Sequence, residues 1–120
     1  FKRVVITGAG ALTPIGNTLR EYWENFKKGT SGAAPITKFD TSKFRTKFAC
    51  EVKNFDVGNF MDRKEARKLD PFAQYAMVVA DEAIADANLP VADMNPDRIG
   101  VIWGSGIGGL LTFQEEVRSF

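Results

Sequence analysis

The sequence predicts an α/β fold with a parallel-rich sheet packed between helices. Two short β-branched runs, residues 2–7 (KRVVIT) and 98–103 (RIGVIW), lack polar alternation, which suits strands buried on both faces. A glycine-rich loop follows each run and leads towards a stretch with helical apolar spacing. A long helical pattern lies between them, so right-handed parallel crossovers are the expected connections.

After the first run, Gly8, Gly10, Pro14 and Gly16 punctuate a loop. Thr18 and Glu21 then form a capping box, Leu19, Tyr22, Trp23 and Phe26 share one helix face, and Lys27, Lys28 and Gly29 close the helix. Residues 30–61 have no helical period, and so long an irregular segment suggests a functional or interface excursion. Within it residues 47–53 alternate like a half-buried strand with Phe48, Cys50 and Val52 inward, and Phe39, Phe44, Phe48, Phe55 and Phe60 are expected to pin the segment to the body. Asp62 and Glu65 form a second capping box and open a short helix that should break at Asp70-Pro71, because the residue before proline is pushed out of the α region. Asp70 then serves as N-cap and Pro71 as first residue of a helix apolar on most of its circumference, which marks it as central. It should end at Asn88-Leu89-Pro90, and residues 104–109 (GSGIGG) turn the chain into a last helical stretch.

Composition narrows the function classes. At 120 residues and 44% hydrophobic the chain suits one core and not two. Sixteen basic against 15 acidic residues leave a net charge of +1, which provides no global field for nucleic acid or an anionic membrane. No apolar run approaches the roughly 20 residues that span a bilayer, so a cytoplasmic protein is expected. A single cysteine excludes an internal disulfide, and without histidine the usual transition-metal ligand sets are missing; only an all-oxygen site remains possible and no EF-hand spacing is present, so no metal is expected, and no cofactor is expected either. The chain begins without methionine and ends inside a helical pattern, and residues 1–120 therefore read as a domain segment incomplete on its C-terminal side.

Few residues offer chemistry. Gly104, Gly106 and Gly109 fit a GxGxxG dinucleotide fingerprint and make a Rossmann-type NAD(P)-dependent oxidoreductase the alternative reading; the same glycines also suit close packing of a loop against other backbone. Cys50 has no histidine to act as base and no helix N-terminus to lower its pKa, so it reads as a small core residue. Arg63, Lys64, Arg67 and Lys68 cover an arc of about 140° on one helix face. They are either a solvated face or a docking patch for an acidic partner.

Taken in order, residues 3–10 (RVVITGAG), Thr13-Pro14-Ile15-Gly16, Ser31-Gly32, residues 39–42 (FDTS), 62–70 (DRKEARKLD) and 104–109 (GSGIGG) resemble the β-ketoacyl-[acyl carrier protein] synthases, synthase II most closely. The resemblance implies a thiolase-like fold, of which this is the N-terminal part, in a homodimeric acyltransferase of fatty acid biosynthesis. It implies acyl carrier protein as partner, with acyl and malonyl thioesters as substrates. The family's catalytic Cys and two His would lie beyond Phe120, and the segment alone is then expected to be inactive. It further implies carrier-protein docking by Lys64, Arg67 and Lys68, and an acyl-pocket gate at Ile107.

Overall fold

The computed structural model describes residues 2–120, so Phe1 lies outside them. Among these residues the order is α1 (Leu19–Lys27), β1 (Ala34–Pro35), β2 (Phe48–Ala49), α2 (Arg63–Ala66), α3 (Pro71–Asp86) and α4 (Leu110–Ser119), with short 3₁₀ turns at Val57–Asn59, Val91–Asp93 and Pro96–Arg98.

Helix ends fall where local chemistry puts them. The Thr18 hydroxyl accepts from the Glu21 amide at 3.2 Å, while the Glu21 carboxylate reaches back one residue further than a standard box, to the Asn17 amide at 2.9 Å. Asp62 caps α2 through the amides of Lys64 and Glu65, but Glu65 turns away to pair with Lys68, so only half of that box forms. Pro71 starts α3 as expected. Asp70 occupies the N-cap position without capping, because its carboxylate accepts from the Thr112 hydroxyl of α4. Asn88 ends the helix region with a positive φ of 48°, which asparagine tolerates better than most residues.

The strands differ from expectation. Neither residues 2–7 nor residues 98–103 belong to a ladder; Pro96–Arg98 is a 3₁₀ turn, and Val4, Ile6, Val101 and Ile102 are 85–98% exposed. A strand is defined by its hydrogen-bonded neighbours, and these two runs find none among the described residues. The parallel sheet is accordingly not formed there. The ladder that does form is the antiparallel pair β1–β2, in register Ala34 to Ala49 and Pro35 to Phe48. Its inward face is also opposite to the one expected: Ala49 is half-buried, whereas Phe48 is 64% exposed and Cys50 is exposed rather than in a core. Alternation fixes which residues share a face but not which face turns inward.

The packed centre lies around α2 and α3, where Ala66 and Val78 are buried. Of the aromatic residues expected to pin the 30–61 segment, Phe55 does so. Its ring meets Tyr75 of α3 edge-on at 5.2 Å and stacks on Phe60 at 5.8 Å. Phe39 and Phe44 pair with each other but stay exposed, and α1 likewise leaves Trp23 and Phe26 exposed. Elsewhere polar contacts hold the layers together. Asp86 of α3 accepts from the Ala9 amide, and Glu82 accepts from the amides of Ala11 and Leu19, which lays the 8–16 loop along α3 and ties down the start of α1.

Candidate functional site

Residues Lys64, Arg67 and Lys68 are all exposed, in and just after α2. The helix is shorter than the arc of charges suggested: it ends at Ala66, Arg67 is its C-cap, and Lys68 lies beyond it. The four cations are also not equivalent. Arg63 pairs with Asp56 at 3.2 Å and Lys68 with Glu65 at 2.6 Å, both on the surface. Lys64 and Arg67 form no ion pair among the described residues. Charge left without an internal partner is charge available to another molecule, and among the described residues of this basic stretch Lys64 and Arg67 carry it.

Ile107 is 77% exposed and stands between Gly106 and Gly108. The two halves of its loop are held differently. A methyl group at Gly104 or Gly106 would meet nothing within 4 Å, whereas one at Gly108 would lie 2.7 Å from the Phe72 ring. Gly109 adopts φ 73°, a left-handed conformation that favours glycine, and starts α4 beside the Asp70 carboxylate. The loop is thus anchored at its α4 end and unencumbered at Gly104 and Gly106. Asp70, Phe72, Tyr75, Ile107, Leu110 and Leu111 line a concavity of about 270 Å³ beneath it. The basic stretch 64–68 and this loop adjoin, because Lys68 precedes Asp70 by two residues and Asp70 holds Thr112.

The dinucleotide alternative finds no support here. Among the described residues no strand leads directly into Gly104, and the start of α4 already faces the carboxylate of Asp70, where a pyrophosphate would need an anion-free helix end. No nucleophile with a base is present either, since the chain has no histidine and its only thiol, Cys50, is exposed on the 30–61 segment. Three carboxylates are held below their ordinary pKa: Glu51 by the Thr37 hydroxyl, Asp40 by the Ser42 amide and hydroxyl, and Glu24 by Lys27. Glu24 pairs along α1, Asp40 holds its own turn, and Glu51 ties Thr37 across the 37–51 segment.

Sequence reasoning missed Gln74, Glu82 and Asp86, three polar side chains of α3 that hold loops and helix ends. The available signal was their position on a helix otherwise apolar nearly all round, where a polar group persists when it has a partner.

Solved ketosynthases share this architecture over part of their length. AntDE:AntF, a type II PKS acyl-carrier protein in complex with its ketosynthase bound to the hexaketide, superimposes with a TM-score of 0.78 at 26% identity over 98% of this chain and 31% of that one. The ishigamide ketosynthase/chain length factor gives 0.68 at 37% identity over 76% of this chain and 23% of that one. The thiolase-like α/β class expected from the sequence is the fold these structures share. Residues 1–119 match the family described as beta-ketoacyl synthase, N-terminal domain, and the chain belongs to that family. It is 49% identical to 3-oxoacyl-[acyl-carrier-protein] synthase 2 of Synechocystis sp. over 96% of its length, and 53% identical to the protein of that name from Staphylococcus aureus over 94%. It spans 28% and 27% of those two relatives.

Proposed function

We propose that this chain is the N-terminal part of a 3-oxoacyl-[acyl carrier protein] synthase II, and that it supplies the whole enzyme with a carrier-protein docking face and an acyl-pocket gate. The observation that carries this reading is the near-50% identity, over almost the entire chain, to proteins named for that activity. The proposed reaction is a decarboxylative Claisen condensation. A cysteine thiolate takes the acyl group from its carrier thioester and expels the carrier's sulfur as a thiolate. Malonyl carrier protein then loses CO₂, and the electron pair of the broken bond attacks the acyl carbonyl. Expulsion of the cysteine leaves a 3-oxoacyl thioester two carbons longer. With no histidine in these 120 residues, the reacting cysteine and its histidines are to be sought in the rest of the full-length protein. The proposed setting is the cytoplasm and the proposed assembly a homodimer, both resting on likeness to synthase II. Among the described residues no helix is long and apolar enough to cross a membrane.

The docking role falls on Lys64 and Arg67, with Lys68 contributing less because Glu65 already holds it. Reversing both free charges in the full-length enzyme is expected to raise the KM for acyl carrier protein about tenfold, or ~1.4 kcal/mol, since each exposed contact is worth up to about 1 kcal/mol and reversal turns attraction into repulsion. The salt dependence of that KM should flatten. Steady-state kinetics at several ionic strengths measure both, and an unchanged KM rejects the docking role.

Exposure of Ile107 over the 270 Å³ concavity, with glycine on both sides, supports the gate. Enlarging it by Ile107→Phe should slow acylation by long chains about tenfold relative to short ones, on the scale of a pocket that discriminates single methylenes. Single-turnover acylation across chain lengths is the measurement, and a uniform rate change excludes a gate.

A further inference from the structure

We infer that Gln74 is a positioning residue for the docking face, fixing the backbone that presents Arg67 and Lys68 without itself touching the partner. This inference rests on the docking role proposed above. At four residues α2 is too short to hold its own shape, so its pose depends on tertiary anchors. One is the Asp62 cap at its start, and a second is the buried Ala66 methyl. The third comes from α3, where the half-buried Gln74 amide nitrogen donates to the Ala66 carbonyl at 2.9 Å and the Leu69 carbonyl at 3.0 Å.

Those two carbonyls flank Arg67 and Lys68 in the chain, so one side chain brackets the stretch that carries two of the three docking cations. Both partners are acceptors, which requires the amide nitrogen, with its two N–H groups, to face them. A carboxylate of the same shape would oppose the carbonyls, and an aliphatic side chain would strip the Leu69 carbonyl of its donor and leave the Ala66 carbonyl with the Leu69 amide alone, at 3.1 Å. Without the bracket, residues 67–69 keep only their local backbone bonds to Arg63, Glu65 and Ala66 and lose their tie to α3, so the partner would have to supply the remaining ordering, and that cost would weaken binding.

In the full-length enzyme, Gln74→Leu is expected to raise the KM for acyl carrier protein about fivefold relative to the KM for a carrier-free acyl-pantetheine, the scale of immobilising one or two side chains on binding. Gln74→Met, unbranched and milder in a packed site, serves if the leucine variant does not fold. The selective rise should largely vanish when Lys64 and Arg67 are already reversed, because the residue acts through the face those charges define. Equal changes for both substrates, or full additivity with the reversed charges, would make Gln74 merely structural and overturn the inference. Should charge reversal alone leave the carrier KM unchanged, the docking role itself fails. Should reversal raise it while Gln74→Leu and Gln74→Met do not, only the role of Gln74 fails.

Discussion

Gly10→Ala in the full-length protein is expected to destabilise it by about 3 kcal/mol, at the upper end of what overpacking costs. The methyl group would lie 2.3 Å from the Val79 carbonyl oxygen and 3.1 Å from both the Ala83 nitrogen and the Glu82 Cβ. Two of these three neighbours are backbone atoms of α3, which cannot rotate aside as a side chain can. The loop must therefore lift, and lifting it strains the bonds from Ala9 to Asp86 and from Ala11 to Glu82. Gly8 meets the same helix one turn on, with a methyl at 2.5 Å from both the Ala83 oxygen and the Ala87 nitrogen, so Gly8→Ala should behave alike. Denaturant midpoints at constant m-value measure both. A shift under about 0.5 kcal/mol for Gly10→Ala, the range of an inconsequential surface change, would refute the close approach.

The same two glycines show what was legible in the sequence. As punctuation after an apolar run they announced a loop correctly, but nothing local says that the loop lies against a helix some seventy residues later, as the Ala11–Glu82 bond shows. Helix ends were legible for the opposite reason, since Thr18, Asp62 and Pro71 act within one turn of themselves. The strands depended on partners outside their own segments, and residues 2–7 and 98–103 are without them among the described residues. At the proposed docking face the charges themselves could be read. The division into paired and unpaired cations could not, because Asp56 reaches Arg63 from the neighbouring turn while Asp70, equally close in sequence, binds Thr112 instead.

Removing the Glu82 carboxylate should loosen the loop and the first helix together. Its two oxygens accept separately, one from the Ala11 amide at 2.7 Å and the other from the Leu19 amide at 2.8 Å. Leu19 is the first residue of α1, where the amides have no partner inside the helix, so the carboxylate both satisfies an orphan donor and places negative charge at the positive end of the dipole. Glu82→Ala leaves two donors unpaired. The full cost of burying them would be about 1–3 kcal/mol each. A concavity of about 450 Å³ beside Ala9, Leu19 and Glu82 admits water, so the lower end applies and the expected loss is about 2 kcal/mol. In Glu82→Gln one oxygen still accepts while the amide nitrogen opposes the other N–H, and a loss of about 1 kcal/mol follows. Hydrogen exchange in the full-length protein separates this from a global effect. The Ala11 and Leu19 amides should exchange at least about tenfold faster in Glu82→Ala, while the amides in the middle of α3 follow only the change in global stability. Unaltered protection at Ala11 and Leu19 would mean that the carboxylate does not hold the loop.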